Sequence, residues 1–230
     1  MPVAIITGGS RGFGRALAVD LAGSGWSVVF DGRTAPRVEE VAAELEARGV
    51  AVRGITGDIT DPHHRESLVA AAEQLGSIDL LVNNASTLGP TPLPRLDRYP
   101  LELLRHVYEV NVLAPLALLQ AALPLVRRSR GVVVALSSDA AVEAYEGWGG
   151  YGSSKSALDH LHHVLAEEEP EVTVYRFDPG DMRTEMHQAA FPGEDISDRP
   201  PPGRVVPTFR RLLDSRAPSG RYRAGQLEPA

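Results

Sequence analysis

Cysteine is absent from this 230-residue chain, which excludes disulfides and thiol catalysis and is compatible with a reducing compartment. An excess of positive charge is missing too: the formal net charge is −7, and the basic residues are scattered, with only short pairs such as Arg127-Arg128 and Arg210-Arg211. Nothing in that distribution tracks a nucleic-acid backbone, so no nucleic-acid partner is expected. Long unbroken apolar runs are also lacking. The longest are interrupted by Pro115 and Pro124, and no membrane span is expected. The first apolar run begins at residue 3, an arrangement that predicts no signal peptide and a cytoplasmic protein. No Pro/Gly/Ser linker divides the chain, and its only low-complexity tract is PPP at 200–202. One α/β domain with a substantial core is therefore expected.

Seven short apolar runs read as strands, at 3–6, 26–30, 50–55, 78–82, 132–136, 172–177 and 220–223. Amphipathic stretches near 14–23, 36–48, 62–75, 100–128 and 152–168 read as helices between most of them. Strands alternating with helices imply parallel βαβ units. The expected fold is a single-domain, doubly wound, seven-stranded parallel sheet flanked by helices.

The first run, VAIIT, ends in GGSRGFG and opens into the helix-forming RALAVDLAGSG. Strand, glycine turn, helix is the dinucleotide-binding context of a Rossmann fold. Gly8 allows the tight turn, Gly12 lets the backbone approach a pyrophosphate, and Gly14 lets helix and strand pack closely. The helix amino end adds free N–H groups and partial positive charge for phosphate.

Tyr151 and Lys155 are four residues apart in YGSSKSALDHLHHVLAEEE, and Ser138 follows the run VVVALS thirteen residues before the tyrosine. One helical turn puts the two side chains on one face. A free phenol ionises near ~10, so a neighbouring ammonium that lowers its pKa would make it a usable acid/base at neutral pH. Ser138 would hold a substrate oxygen beside it. The histidines at 160, 162 and 163 contain no H-E-x-x-H or i,i+4 pair, and no metal is expected.

Thr7-Gly8-x-x-x-Gly12-x-Gly14, NNAS at 83–86, Asn111, Ser138, Tyr151-x-x-x-Lys155 and Pro179-Gly180 occur in the order and spread of one family. The chain resembles the short-chain dehydrogenase/reductases from residue 7 to residue 184. The resemblance implies a catalytic set of Asn111, Ser138, Tyr151 and Lys155. In that family the Asn kinks its helix and holds a water that relays protons from the lysine; the alternative is an amide satisfied by a neighbouring carbonyl. The implied cofactor contacts are Gly8, Ser10, Arg11, Gly12, Phe13, Gly14, Arg33, Asp58, Ile59, Asn84, Ala85, Tyr151, Lys155, Pro179, Gly180, Met182 and Thr184. Asp58 would bind the adenine amino group, with a helix-cap role as the alternative. Asn83 is read as mostly structural.

Cofactor choice depends on VVFDGRT at the end of the second run. Asp31 points to NAD. The family's spacing from Gly14, however, places the discriminating position at Gly32, followed by Arg33, and Arg11 is a second cation on that side. Two arginines suit a ribose phosphate, so NADP(H) is expected over NAD(H).

The implied activity is reduction of a ketone or aldehyde, or its reversal, with Tyr151 as acid/base. The alternatives are a non-catalytic NADP sensor or scaffold, and epimerase or dehydratase chemistry, for which the region after Thr184 is short. Residues 1–130 would form the cofactor half and 131–230 the catalytic half. Pocket walls are expected from 88–93, 142–148 and 182–192, offering Tyr145, Trp148, Met182, Met186 and Phe191 with Asp139 and Glu143. They suit a partly apolar substrate with a polar or cationic handle. The resemblance also implies a homodimer or homotetramer, since the helices at 100–128 and 152–168 form the interface in that family, and the ending SGRYRAGQLEPA is shorter than the family's frequent one, which argues against a tail-mediated tetramer.

Overall fold

The structure, a computed structural model, describes residues 1–227, so the end of that short tail, 228–230, lies outside the described residues. Seven parallel strands form one sheet: β1 (Val3–Ile6), β2 (Ser27–Gly32), β3 (Val52–Thr56), β4 (Leu80–Asn83), β5 (Val132–Leu136), β6 (Thr173–Asp178) and β7 (Gly220–Arg223). Their spatial order is β3-β2-β1-β4-β5-β6-β7. The order reverses between β1 and β4, where a crevice opens beyond the carboxyl ends of the strands.

Strand side chains alternate between two cores. Ala4, Ile6, Val28, Phe30, Leu80 and Val82 face α1 (Gly12–Gly23), α2 (Ala35–Glu46) and a later helix, Val206–Ser215. Val3, Ile5, Val29 and Leu81 face α3 (Pro62–Leu75) and the helices that follow it. With both faces covered, a parallel strand reads as a continuous apolar run, which is why the strands were visible in the sequence. Complete burial of a side chain such as Leu17 or Leu118 contributes about 1.5–3 kcal/mol.

The stretch expected as one helix over 100–128 is α4 (Leu101–Tyr108), a π-helical turn at Glu109–Leu113, and α5 (Ala114–Ser129). Pro115 lies in the first turn of α5, where a missing N–H is tolerated. By length and composition Leu101–Ser129 is apolar enough to cross a bilayer, yet 56% of its 18-residue apolar window is buried inside the protein. Next come α6 (Gly149–Glu168) and two helices the sequence reading left out, α7 (Glu185–Ala190) and α8 (Val206–Ser215). Val206, Phe209, Leu212 and Leu213 of α8 complete the first core, and Phe209 meets Phe13 edge-on at 5.9 Å.

Candidate active site

The glycine turn is built by contacts that fix its neighbours. The Asn84 Nδ2 group donates to the Thr7 and Gly8 carbonyls at 2.7 and 3.2 Å, and the Thr7 hydroxyl accepts from the backbone N–H groups of Asn84 and Ala85. These bonds tie the end of β1 to the end of β4. Gly8 has φ +65°, and a Cβ on Gly14 would lie 2.5 Å from Asn84 Nδ2. Gly12 differs: at φ +57°, a Cβ there would meet only Thr184 Cγ2, at 3.8 Å. It borders free space rather than protein.

That space is a crevice of about 740 Å³ lined by Gly8, Ser10, Arg11, Gly12, Arg33, Asp58, Ile59, Asn84, Ala85, Met182 and Thr184. The amino end of α1 opens on it with no side-chain cap, leaving backbone N–H groups free for an anion. An uncapped helix end, a crowded Gly14 and an open Gly12 fit a dinucleotide pyrophosphate. Phe13 also lines the crevice, with its ring buried against Phe177 and Phe209.

The fate of Asp31 removes it from the ribose. Its carboxylate is 3% exposed, accepts from the Gly8 N–H at 2.5 Å and pairs with His64 Nε2 at 2.9 Å. It supports the glycine turn from below. No acid fits at position 32 either, since a Cβ on Gly32 would sit 2.7 Å from Ser10 Cβ and 3.0 Å from Val38 Cγ2. Arg33 is exposed at the crevice edge. Asp58 Oδ1 accepts from the Thr60 N–H and hydroxyl, while Asp61, not Asp58, caps α3. Burial tends to raise the Asp58 pKa; the Thr60 bonds and the field of Arg33 outweigh it and leave the carboxyl below its ordinary value.

At the other end of the crevice lies a cleft of about 140 Å³ lined by Ser138, Tyr151, Lys155, Leu88, Trp148, Met186, Pro179 and Gly180, with Met182 and Thr184 lining the dinucleotide side as well. Tyr151 and Lys155 lie on α6, with the Lys155 Nζ 5.6 Å from the Tyr151 ring centroid and donating to the Leu136 carbonyl at 2.8 Å. Ser138 follows β5; its hydroxyl donates to Asp139 Oδ1 at 3.0 Å. Two elements, β5 and α6, thus bring the sequence-predicted trio to one cleft.

The electrostatics differ from the sequence expectation. Burial pushes the Tyr151 phenol well up, Asp178 and Asp139 act the same way, and hydrogen bonding with Ser138 and Ser86 only partly opposes them. Burial also lowers the lysine itself to about 8, against the pull of Asp159. The physical reason is that a fully enclosed pair loses more hydration than it gains in attraction. Lys155 is the only lysine in the chain. Isotope-labelled lysine will therefore give a single side-chain NMR resonance, with a titration midpoint expected near 8. Because the folded value lies below the unfolded one, folding releases a proton between these two values and stability rises with pH across that window. A midpoint near 10.5, the ordinary value, would mean a solvated amine.

Asn111, expected among the catalytic four, spends its side chain on protein. Nδ2 donates to the Thr87 carbonyl and the Ser154 hydroxyl, each at 2.9 Å, while Oδ1 accepts from the Ser86 hydroxyl at 3.1 Å and the Thr87 N–H at 2.9 Å. Both donors and both lone pairs of the side chain are thus used within the protein. Asn83 donates to His162 Nε2 at 3.3 Å. Burial lowers His162 to about 4 and keeps it neutral.

Of the expected walls, Leu88, Trp148, Met182 and Met186 line the cleft, but Val142 and Tyr145 turn to solvent. The Tyr145 hydroxyl instead donates to Asp139 Oδ2 at 3.1 Å. Sequence reasoning missed His187, whose Nε2 is buried beside the cleft without a hydrogen-bond partner among the described residues, and Arg221 of β7. Arg221 donates to the Ser138 carbonyl at 2.8 Å and to Asp159 Oδ2 at 3.1 Å. No local signal marks either one. Their roles arise from contacts between distant segments.

Comparison with known proteins agrees with this architecture. The family model for short chain dehydrogenase matches residues 2–195. The sepiapterin reductase of Rattus norvegicus is 34% identical over 201 residues, covering 82% of this chain and 77% of that protein. The serine 3-dehydrogenase of Agrobacterium fabrum is 37% identical over 186 residues, covering 79% and 72%. An alcohol dehydrogenase from the archaeon Thermococcus sibiricus, solved with 5-hydroxy-NADP, superposes with a TM-score of 0.88 at 28% identity, covering 100% of this chain and 99% of that one. The chain belongs to the short-chain dehydrogenase family. It is an oxidoreductase of that family, acting on CH–OH or C=O groups with a nicotinamide cofactor.

Proposed function

We propose that this protein is an NADPH-dependent carbonyl reductase for a small ketone or aldehyde. The observation that carries the reading is the joining of a buried phenol, a buried lysine and a serine hydroxyl to a crevice whose ribose end holds arginines and no free acid. Residues to about 130 would hold the adenosine and pyrophosphate: the Gly8–Gly14 turn and the α1 amides on phosphate, Arg11 and Arg33 on the ribose phosphate, Asp58 and Ile59 on adenine, Asn84 and Ala85 beside them. The later half contributes Lys155 to the nicotinamide ribose and Pro179, Gly180, Met182 and Thr184 to the nicotinamide. When bound, the cofactor supplies or accepts the hydride.

A phenol held well above neutrality is an acid, and that state serves reduction. Ser138 donates a hydrogen bond to the carbonyl oxygen, Tyr151 transfers its proton to that oxygen, and the phenolate left behind draws a proton readily from an ammonium titrating at about 8. The raised phenol makes alcohol oxidation the harder direction at neutral pH. Asn111 positions the Ser86–Thr87 segment and Ser154 beneath this group. Exposed apolar side chains on the outer helices, Leu103, Leu113 and Val164, support a homo-oligomer packed through them.

A panel of ketones and aldehydes, followed by loss of NADPH absorbance, tests the activity. At least one substrate class should turn over with kcat/KM for NADPH about tenfold or more above that for NADH, and Arg33→Ala should narrow the ratio about tenfold with NADH unchanged. Equal rates with both nucleotides would overturn the cofactor reading.

A further inference from the structure

Glu185, the first residue of α7, reaches across the mouth of the crevice to guanidiniums from two other elements. Its Oε2 accepts from Arg11 Nη1 at 2.7 Å, and its Oε1 and Oε2 accept from Arg37 Nη1 at 2.9 and 3.2 Å. Arg11 belongs to the glycine turn and Arg37 to the first turn of α2, and all three residues line the crevice. Arg33, on the same side, has no carboxylate partner among the described residues.

A carboxylate between two guanidiniums is chemically a stand-in for a phosphate, since both acids use the same charge-assisted N–H···O bonds. A phosphate dianion brings more charge and three acceptor oxygens, and has Arg33 as a further cation. The existing contacts are cheap to give up: the side chains of Arg11, Arg37 and Glu185 are 48%, 46% and 58% exposed, and ion pairs so exposed contribute little. The carboxylate is also dispensable to the helix that carries it, because Thr184 already caps α7 through its Oγ1, which accepts from the His187 N–H at 3.1 Å.

We propose that Glu185 is an internal competitor for the anion site, holding the arginines until a phosphate-bearing dinucleotide displaces it. This rests on the NADPH reading above. The displacement has a second consequence. Met186, His187 and Ala190 of α7 line the catalytic cleft, so the tie from Glu185 to Arg11 and Arg37 joins the cleft wall to the adenosine end of the crevice. Binding of a phosphate-bearing nucleotide unties that wall, whereas a nucleotide without the phosphate leaves it tied. Glu185 thus sets both how strongly the two nucleotides are distinguished and how freely the substrate wall moves.

Equilibrium titration of wild type and Glu185→Gln with NADPH and with NADH, followed by calorimetry, tests the competition without relying on turnover. Glutamine keeps the shape and removes the charge. The variant should bind NADPH about three- to tenfold more tightly with NADH affinity unchanged. Hydrogen exchange over 184–191 should speed up in wild type with NADPH but not with NADH, and should already be fast in the unliganded variant. Unchanged or weaker NADPH binding in the variant, or equal changes for both nucleotides, would overturn the proposal. A wild type without NADPH preference beside a variant that acquires one would overturn the cofactor reading alone and keep the competitor. If neither form prefers NADPH, both fall.

Discussion

Tyr151→Phe is expected to lower kcat by about 10³-fold, the usual contribution of a positioned general acid, while NADPH binding stays within about threefold of wild type. The substitution removes one hydroxyl and keeps the ring, which packs edge-on against Trp148 with centroids 5.7 Å apart. Its neighbours are not stranded: Ser138 keeps Asp139 as partner, and Ser86 keeps Asn111. A fold penalty is therefore not expected, since the cost of deleting a buried polar group comes mainly from partners left unpaired. Turnover lost with folding and nucleotide binding intact would place the proton on Tyr151. Single-turnover rates with saturating NADPH, read beside calorimetric affinity, make the separation. A variant that keeps more than about a tenth of the wild-type rate would remove Tyr151 from the proton-donating role.

The central strands were legible because a parallel strand covered on both faces is apolar along its length, whereas the edge strands β3 and β7 are partly polar and exposed; all seven lie within two residues of their expected boundaries. The glycine turn and the Tyr151–Lys155 spacing were legible for a different reason: each is local, set by a few residues and one helical turn. Two helices went unseen. The α8 stretch is amphipathic, with Val206, Phe209, Leu212 and Leu213 inward, but it follows a proline-rich segment that reads as loop. The α7 cap, Thr184 with the His187 N–H, was present in the sequence but lay in a stretch read only as pocket wall.

What the sequence withheld is long-range. Spacing alone set Asp31 aside as the ribose ligand, but what its carboxylate does instead, pairing with His64 of α3 and accepting from the Gly8 N–H, is set by distant segments. The direction of the Tyr151 shift depends on how completely the 138–148 segment and α7 enclose the phenol, which no spacing reports. A lysine four residues away predicts attraction. Burial of both groups decides the outcome, and it falls hardest on whichever form is charged. Glu185 and Arg221 likewise acquire partners from segments far away in sequence.

Arg221→Met is expected to destabilise the fold by about 3 kcal/mol and to lower kcat with little change in nucleotide affinity. Arg221 stands between two buried carboxylates: its Nε lies 3.1 Å from Asp159 Oδ2 and its Nη2 3.5 Å from Asp178 Oδ2. The two acid side chains are 9% and 2% exposed. Removing a cation from such a group leaves charge buried without compensation. The lower end of the usual range applies because the Arg221 side chain is itself 24% exposed and Arg223 still reaches Asp178 at 3.5 Å. For a chain of this length the loss corresponds to a melting temperature roughly 10 °C lower. Methionine retains the packing of the stem, so charge is the main variable.

The pH dependence gives the sign. Burial already raises Asp178 above its ordinary value, and Arg221 and Arg223 oppose that rise. Without Arg221 the folded-state pKa moves further above the unfolded one, so the folded state binds the extra proton between them. Stability of the variant then falls as pH rises through that window. The melting deficit should be largest at neutral pH and shrink under mild acid. Adding Asp159→Asn should recover part of it, because asparagine can still accept from the Ser137 hydroxyl without carrying a buried charge. The effect on kcat has a separate origin in the 2.8 Å bond from Arg221 to the Ser138 carbonyl, which fixes the segment presenting the serine hydroxyl. Thermal melts and single-turnover rates of the single and double variants across pH 5 to 8 distinguish the two effects. A variant that melts within about 2 °C of wild type with a flat pH profile would show that the Arg221 cluster contributes no net stability.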